Sequence, residues 1–309
     1  HTLTARPSSC ARAIVAPECF DAVLVNPEYD KTLFAAPNLS VGVTDFAIGV
    51  HTSALLRDGG TLQIGIGSLG DAIAQGLIVR DRHGDEYRRI LESLCPDGLS
   101  GRRLGRFDEG LYGCSEMFVN GFLKLIEAGI IRREVFGDTV LQQLINDGKM
   151  PAATVTPATL RALIDAGRVR SPLAQQDLDF LKHYGVLKAE VTLDGEHLVL
   201  GDTRVANDLL SDEGFERVAS TLLGTRLAHG IFMTGGFFLG PRDFYERLRT
   251  MPPQELAKID MTRIDFINQL YGQDELKRAQ RRKARFMNST MIVTLLGAAC
   301  SDALESGQV

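Results

Sequence analysis

The stretch TLQIGIGSLGDAI, residues 61–73, predicts a strand, a turn and a helix in immediate succession. The apolar run from Leu62 to Ile66 is typical of a buried strand, and a helical pattern begins at Asp71. Between them lie three glycines with the spacing G-x-G-x-x-G: Gly65, Gly67 and Gly70. A glycine turn at a helix N-terminus lets a ligand approach backbone N–H groups, so it favours an anion or a developing oxyanion there.

The bulk composition is that of an ordinary globular protein. Of the 309 residues, 44% are hydrophobic and 24% are charged, which is normal for a soluble chain. This length exceeds what a single core usually fills, so we expect one large or two smaller domains. The formal charge of −5 argues against a nucleic-acid partner. No apolar run is long enough to span a membrane, so no membrane partner is expected.

Cysteine and histidine usage bears on compartment and metal binding. The five cysteines are scattered, with no C-x-x-C pair: Cys10, Cys19, Cys95, Cys114 and Cys300. The six histidines show no H-x-x-x-H spacing. This pattern predicts neither a disulfide framework nor a metal site, and it favours a reducing compartment, which we take to be the cytoplasm.

Along the chain we expect an α/β fold with an open sheet, flanking helices and an insertion. Residues 1–40 are irregular, residues 41–137 form the first part of the α/β domain, and residues 225–309 form its second part. Residues 138–224 form a mostly helical insertion with a hairpin at Asp194-Gly195. Because the ends look cut, we expect part of a longer protein, in which residues 1–40 are the remnant of a preceding half and the C-terminus is truncated.

Several further segments carry predictions of their own. GIFMTGGFFLG predicts a strand followed by a glycine turn, and STMIVTLLGAACSD predicts a buried strand. PDGLSGRRLGRFDEG, residues 96–110, is typical of a loop. The basic run KRAQRRKARF, residues 277–286, favours a solvated helix face, with contacts to phosphates or to another subunit as alternatives.

The glycine turn has three interpretations on its own residues. As a dinucleotide fingerprint it requires a second strand ending in Asp or Glu about 20 residues on, but residues 71–94 have helical sequence broken at Gly84. A nucleotide-binding oxidoreductase is therefore the weaker alternative. A turn that only packs a helix on a strand is the second interpretation, and an oxyanion-binding turn is the third.

Three motifs resemble the acetyl-CoA hydrolase/transferase family, a branch of the family I CoA-transferases. DGGTLQIGIGSLGDAI resembles its DGATLQxGIGxIPxAV segment, and GCSEMFVNGFLKLIEAGII resembles its HTEMFSDGVVDLVEAGVIT segment. MTGGFFLGPRDFYERL is more weakly similar to ALGSxxLYDFL, and the closing SGQV to LTGQV. The motifs follow the order of the family's C-terminal half. The resemblance implies a CoA-transferase-like sheet.

The resemblance also implies a chemistry. The family's catalytic glutamate corresponds to Glu116, which would form a glutamyl-CoA thioester during CoA transfer or acyl-CoA hydrolysis. We expect a strand-to-helix turn before Met117 to present it. The implied substrate-binding residues lie in two glycine segments: Gly65, Ile66, Gly67, Gly235 and Gly236. Coenzyme A and acyl-CoA are substrates rather than bound cofactors, a carboxylic acid is the other partner, and a homodimer is implied. Gln63 and Asn120 could form hydrogen bonds near the site, but side-chain packing or solvent exposure is the favoured interpretation of either residue.

The chain departs from the family pattern at three places. Gly70 replaces a proline, which we expect to loosen the turn. VTLLGAACSD stands where the family has INSALEVD, without its asparagine, and the glycine-rich SGxGGQ segment is absent. These departures favour the alternative of a non-catalytic binding or assembly domain. In a purely structural interpretation Glu116 is a carboxylate at a helix N-terminus.

Overall fold

The computed structural model describes residues 16–24, 28, 35–37, 40–301, 303–304 and 307–308. The chain divides into two compact units. Unit 1 comprises His1–Arg133, Phe232–Gly272 and Arg281–Val309, and unit 2 comprises Glu134–Ile231 and Gln273–Gln280. Most of the segment 1–40 lies outside the described residues.

The helices and strands alternate over much of unit 1. In chain order the elements are α1 (Val43–Ser53), β1 (Thr61–Ile64), α2 (Ser68–Arg82), α3 (Gly84–Leu94), β2 (Tyr112–Phe118), α4 (Asn120–Glu127), α5 (Thr139–Asn146), α6 (Pro157–Asp165), α7 (Gln175–His183), β3 (Thr192–Asp194), β4 (His197–Leu200), β5 (Thr203–Ala206), α8 (Asp212–Thr221), β6 (Met233–Phe238), α9 (Arg242–Thr250), α10 (Pro253–Leu256), β7 (Ile259–Met261), α11 (Ile264–Asn268), α12 (Asp274–Gln280), β8 (Arg285–Met287), β9 (Ile292–Val293), β10 (Ala299–Cys300), β11 (Ala303–Leu304) and β12 (Gly307–Gln308). The expected α/β class is confirmed.

A five-stranded parallel sheet organises unit 1. Its strand order is β7-β6-β2-β1-β8, and every neighbouring pair is parallel. The register pairs Leu62 with Gly113 and with Arg285. Leu62 and Ile64 are fully buried and belong to a core with residues of α2 and α4. Because side chains alternate along a strand, Gln63 and Glu116 lie on the other face of the sheet.

The turn between β1 and α2 is tighter than the sequence indicated. Gly67 is the N-cap residue, with φ of 103°, a conformation that glycine adopts without strain. The helix therefore begins at Ser68, and the predicted start at Asp71 is wrong by three residues. A Cβ atom on Gly70 would lie 2.2 Å from the carbonyl oxygen of Gly65. The expectation of a loosened turn is also wrong, because this glycine is packed against the end of β1.

Strand β2 extends further than predicted. The chain remains extended through Phe118, and α4 begins at Asn120. Glu116 therefore lies within the strand, and the turn expected before Met117 comes after Phe118. Both the presentation of Glu116 on a turn and its assignment to a helix N-terminus are wrong. Its position two residues before the end of β2 still places it near the carboxyl edge of the sheet.

The two glycines of the segment around β6 lie in the strand rather than in a turn. Gly235 pairs with Ser115, and continuing this register places Gly236 beside Glu116. A Cβ atom on Gly236 would lie 2.9 Å from the Glu116 carbonyl oxygen and 3.0 Å from Cγ1 of Ile264. The predicted turn is wrong here because the glycine instead allows helix α11 to lie close to the sheet.

The C-terminal segment differs most from its prediction. STMIVTLLGAACSD forms only the short antiparallel pair β9 and β10, and most of its residues are exposed. The strand that joins the sheet is β8, three residues long and earlier in the chain. The prediction of a buried strand is wrong because apolar content alone does not specify pairing.

The basic run is not one solvated helix face. Lys277 is only 2% exposed in α12, and Arg281 donates to the carbonyl oxygens of Phe266 and Ile267. Arg282 donates to the carbonyl oxygen of Gly59 and pairs with Glu109. Arg281 and Arg282 therefore bind backbone carbonyls and a carboxylate within the chain, and they stabilise loops.

Unit 2 has its own hydrophobic core, formed by residues of α5–α8 and the small antiparallel sheet β3-β4-β5. The hairpin predicted at Asp194-Gly195 is present, and β5 adds a third strand that the sequence analysis missed. Asp138 caps α5 through a hydrogen bond from the Leu141 amide, and Ser211 caps α8.

The close packing at Gly70 gives a stability prediction. We expect Gly70→Ala to lower the free energy of unfolding by about 1–3 kcal/mol, because the new methyl group overlaps the Gly65 carbonyl oxygen. Gly84→Ala is the matched control, since no atom lies within 4 Å of its Cβ position. It should leave stability unchanged or raise it by up to about 1 kcal/mol. Urea unfolding measures both, and equal effects would contradict the prediction.

Candidate active site

The carboxyl edge of the parallel sheet gathers the candidate residues. The chain runs from β1 through β2 and β6 to β7 in one direction, and then β8 pairs on the other side of β1. The order therefore reverses between β1 and β8. In open α/β sheets, ligands bind outside the carboxyl ends of the strands at such a reversal. The structure places two distinct features at this edge, a polar cluster and a pocket.

The polar cluster is Gln63, Glu116, Asn268 and Asn288. Glu116 is partly buried in β2, and its Oε2 accepts a hydrogen bond from Nδ2 of Asn268 at 2.6 Å. Its Oε1 accepts no hydrogen bond from the described residues. Continuing the register of β1 and β2 by three residues places Gly65 beside Glu116. Asn268 thus fixes one carboxylate oxygen by a hydrogen bond, while the other oxygen can react with a ligand near the glycine turn.

The other two members of the polar cluster, Gln63 and Asn288, connect β1 to the residue that follows β8. Nε2 of Gln63 donates to Oδ1 of Asn288 at 2.9 Å, while Oε1 of Gln63 is buried and has no hydrogen-bond partner within the described residues. A buried acceptor without a donor is costly. This oxygen is therefore a candidate to accept a hydrogen bond from a ligand.

Sequence reasoning missed two members of the cluster. Asn268 lies 152 residues from Glu116 along the chain, and Asn288 lies 225 residues from Gln63. Neither belongs to a motif that the resemblance identified. The strand order identifies both residues. Asn288 reaches this edge because β8 pairs with β1, and Asn268 reaches it because α11 packs against β6.

The second feature is a pocket of about 200 Å³ at the same edge. Its lining follows three neighbouring strands and includes one early segment: Ala36, Pro37, Gly65, Ile66, Gly67, Asp71, Val119, Asn120, Leu239, Gly240 and Pro241. The predicted residues Gly65, Ile66 and Gly67 therefore line a cavity. Glu116, Gly235 and Gly236 do not line it, so the structure separates the predicted site residues into two groups.

Asp71 is the titratable residue in the pocket lining. Burial raises the pKa of its carboxyl above the ordinary value, and the positive charge of Lys124 partly opposes this rise. Its backbone N–H donates to the carbonyl oxygen of Gly67, which closes the first turn of α2. The charged form of Asp71 is therefore disfavoured in the folded chain.

Asn120 links the pocket to a charged pair. Its Oδ1 accepts a hydrogen bond from Nη1 of Arg247 at 3.2 Å, and Arg247 also pairs with Glu127. Because a guanidinium only donates, the Asn120 oxygen must face it, and this fixes the amide orientation. Asn120 is 7% exposed, and its Nδ2 is not one of the buried nitrogen or oxygen atoms that lack a hydrogen-bond partner.

Other reactive groups do not form a site in the described part of the chain. Cys19, Cys95, Cys114 and Cys300 form no disulfide within the described residues. No three potential metal-ligating side chains converge within residues 40–301 or the shorter described segments. Each helix in those ranges is too short or too polar to cross a bilayer.

Comparison with known proteins adds no assignment. Neither the models of known protein families nor the curated proteins yield a match to this chain.

The raised pKa of Asp71 predicts a pH-dependent stability difference. Above the folded-state pKa the buried carboxylate is ionised at a cost, whereas below about pH 4 it is protonated in both states and the cost disappears. Asp71→Asn should therefore raise the free energy of unfolding at pH 7 by up to about 1 kcal/mol, a figure reduced for solvent screening.

Urea unfolding of both proteins at pH 7 and pH 4 measures this difference. Asp97→Asn, which removes an exposed carboxylate, is the control. Its free energy of unfolding should stay within about 0.5 kcal/mol of that of the parent protein. A gain from Asp71→Asn that persists unchanged at pH 4 would exclude the ionisation as its cause.

Proposed function

We propose that this chain belongs to an acyl-CoA:carboxylate CoA-transferase or acyl-CoA hydrolase that works through a thioester on Glu116. The observation that carries the proposal is that only one of the two carboxylate oxygens of Glu116 accepts a hydrogen bond from the described residues. Glu116 lies at the carboxyl edge of the sheet with Oε2 bound by Asn268, next to the end of β1 where the glycine turn begins.

The proposed reaction needs no redox partner and no net proton transfer during CoA exchange. Oε1 of Glu116 attacks the thioester carbonyl carbon and the carbon–sulfur bond breaks. The CoA thiolate departs, and an acyl-glutamyl anhydride remains on Glu116. The thiolate then attacks the glutamyl carbonyl and releases the acyl group as a carboxylate. An acceptor carboxylate takes the CoA by the reverse steps, or water hydrolyses the thioester.

The geometry supports each requirement of this chemistry. A carboxylate is a weak nucleophile, so its orientation must be fixed, and the Asn268 hydrogen bond fixes it. A developing oxyanion needs preorganised donors, and the backbone of Gly65, Ile66 and Gly67 at the start of α2 can supply them. The amides of Gln63 and Asn288 add polar groups on the same face as Glu116.

The resemblance supplies the remaining parts of the proposal. It identifies the overall arrangement as CoA-transferase-like and the partners as an acyl-CoA and a carboxylic acid. It also implies a homodimer in the cytoplasm, with coenzyme A as a substrate rather than a resident cofactor. Gly236 acts in this proposal by letting α11 approach the sheet, and Gly235 by leaving space for the side chain of Met261.

Two alternatives are less well supported. A nucleotide-binding oxidoreductase requires a carboxylate at the end of the second strand, but β2 ends at Phe118 and is followed by Val119 and Asn120. A non-catalytic binding domain gains some support from one observation, since Glu116 does not line the pocket beside the glycine turn. Covalent trapping distinguishes this alternative from catalysis.

The trapping experiment incubates the chain with acetyl-CoA, reduces it with borohydride and examines the peptide containing Glu116 by mass spectrometry. We expect reduction of the glutamyl thioester to an alcohol at this position. Glu116→Gln should abolish the adduct, while the exposed carboxylate variant Glu92→Gln should retain it. A folded chain that binds CoA but carries no adduct would reject the catalytic proposal in favour of the binding domain.

Removing the hydrogen bond to Glu116 tests how its carboxylate is positioned. Asn268→Ala should slow adduct formation about tenfold, the usual worth of a hydrogen bond to a charged group. Asn268→Asp should slow it more, because two carboxylates then face each other. The exposed variant Gln254→Ala is the control and should react at the parent rate. Unchanged rates in both Asn268 variants would contradict this positioning role.

A further inference from the structure

One row of residues crosses the parallel sheet at the level of Glu116. The register of β2 with β6 places Gly236 beside Glu116. Continuing the registers of β1 with β2 and with β8 places Gly65 on the other side of Glu116, and Asn288 beyond Gly65. Side chains alternate along a strand, so this row faces the same side of the sheet as Gln63, which agrees with the hydrogen bond between Gln63 and Asn288. Glu116 is therefore flanked by two glycines.

The two sides of Glu116 differ in the space that they leave. On the β6 side, a Cβ atom on Gly236 would lie 2.9 Å from the Glu116 carbonyl oxygen and 3.0 Å from Cγ1 of Ile264. Helix α11 fills this side, and its last residue, Asn268, bonds Oε2 of Glu116. On the β1 side, a Cβ atom on Gly65 would have no neighbour within 4 Å. A ligand can therefore reach Glu116 from above β1, whereas α11 blocks the approach from above β6.

The space above Gly65 suits a narrow, unbranched part of a ligand. It lies between Glu116 on β2 and Asn288 after β8, and neighbouring strands are roughly 4.8 Å apart. Carbon atoms in good contact are about 3.5–4 Å apart, so a chain of methylene groups fits over a residue that has no side chain. Any side chain at position 65 would occupy the same space.

Gln63 indicates which polar group that part of the ligand carries. Its Oε1 is buried and has no hydrogen-bond partner among the residues that the structure describes, while its Nε2 donates to Oδ1 of Asn288 at 2.9 Å. Gln63 precedes Gly65 by two residues along the chain, so this acceptor lies beside the open space. A buried acceptor without a donor is destabilising, and an N–H group of the ligand would satisfy it.

We propose that the space above Gly65 holds the cysteamine part of coenzyme A, which connects its sulfur to its first amide, and that Oε1 of Gln63 accepts the N–H of that amide. The proposal rests on the proposed function, because a thioester whose carbonyl carbon meets Oε1 of Glu116 is what brings this sulfur above β1. Gly65 is then a specificity-determining position, and Gln63 is a binding residue.

The dimensions of a CoA thioester agree with this placement. A sulfur atom and two methylene groups separate the carbonyl carbon from the amide nitrogen, an extended reach of roughly 5 Å. Gln63 and Glu116 are diagonal neighbours on adjacent strands, for which the backbone separation is roughly 7–8 Å. The two side chains cover the difference. An aliphatic acyl chain in the same space would leave Oε1 of Gln63 without a donor, because such a chain carries no N–H group.

A binding experiment without any thioester tests this placement. The probes are N-acetylcysteamine and its ester analogue 2-sulfanylethyl acetate, in which an oxygen atom replaces the N–H group. Saturation-transfer NMR titration measures their affinities, with coenzyme A as the competitor. We expect the amide to bind at least about fivefold more tightly than the ester, because only the amide donates to Gln63, and we expect coenzyme A to displace both. Equal binding of the two probes, no binding of the amide, or no displacement would overturn the proposal.

Three variants locate the effect. Gln63→Leu should reduce the ratio of the two affinities to within about twofold, since no acceptor remains. Gly65→Ala should weaken both probes at least about tenfold by filling the space, while urea unfolding changes little because the new methyl group meets no atom. Gly105→Ala is the matched control, because its Cβ position is equally open, and it should change neither affinity. Binding by Gly65→Ala at the parent affinity, or an unchanged ratio in Gln63→Leu, would contradict the proposal.

These outcomes are distinguishable from those of the Glu116 trapping experiment. If the probes respond to both variants as expected but no thioester forms on Glu116, the binding of the cysteamine part stands and the proposed function fails. If the thioester forms but the probes do not respond, the proposed function stands and the path of the ligand over Gly65 is rejected.

Discussion

Gly70 has no space for a side chain, because a Cβ atom there would lie 2.2 Å from the carbonyl oxygen of Gly65. This close approach holds the start of α2 against the end of β1 and so fixes the path of the turn between them. The pocket lining from Gly65 to Gly67 and the N-terminus of α2 follow from that path. A second close approach, at Gly236, admits α11 to the sheet and brings Asn268 to Glu116.

Local sequence predicted the type of most elements near the site but not their ends. The strand, turn and helix of residues 61–73 are correct, whereas the helix start was missed because Gly67 serves as an N-cap without a side chain. Glu116 was assigned to a turn because polar and apolar residues near the end of β2 do not alternate clearly. The sequence predicts a turn at Gly235 and Gly236, because the reason for a glycine within a strand is visible only once its neighbours, Met261 and Ile264, are known.

The two residues of the site that are distant in sequence, Asn268 and Asn288, could not be predicted for a different reason. Asn268 and Asn288 reach the carboxyl edge only through the strand order, in which β8 pairs on the far side of β1. No local pattern encodes which strands become neighbours. The motif that resembled the family's asparagine-bearing strand instead forms the exposed pair β9 and β10, while Asn288 follows the short strand β8 that the periodicity did not reveal.

The chain passes through unit 2 immediately before the last strand of the parallel sheet. The chain leaves unit 1 after Arg133, returns at Phe232, and leaves again for Gln273–Gln280 before it reaches β8. Within unit 2, α12 is tied to α5, with Asn146 bonded to Ala279 and Gln280 to Phe136. The last strand of the parallel sheet is thus delivered from a segment that folds as part of the other unit. Asn288 therefore follows, along the chain, a helix that belongs to unit 2, although its side chain bonds Gln63 within unit 1.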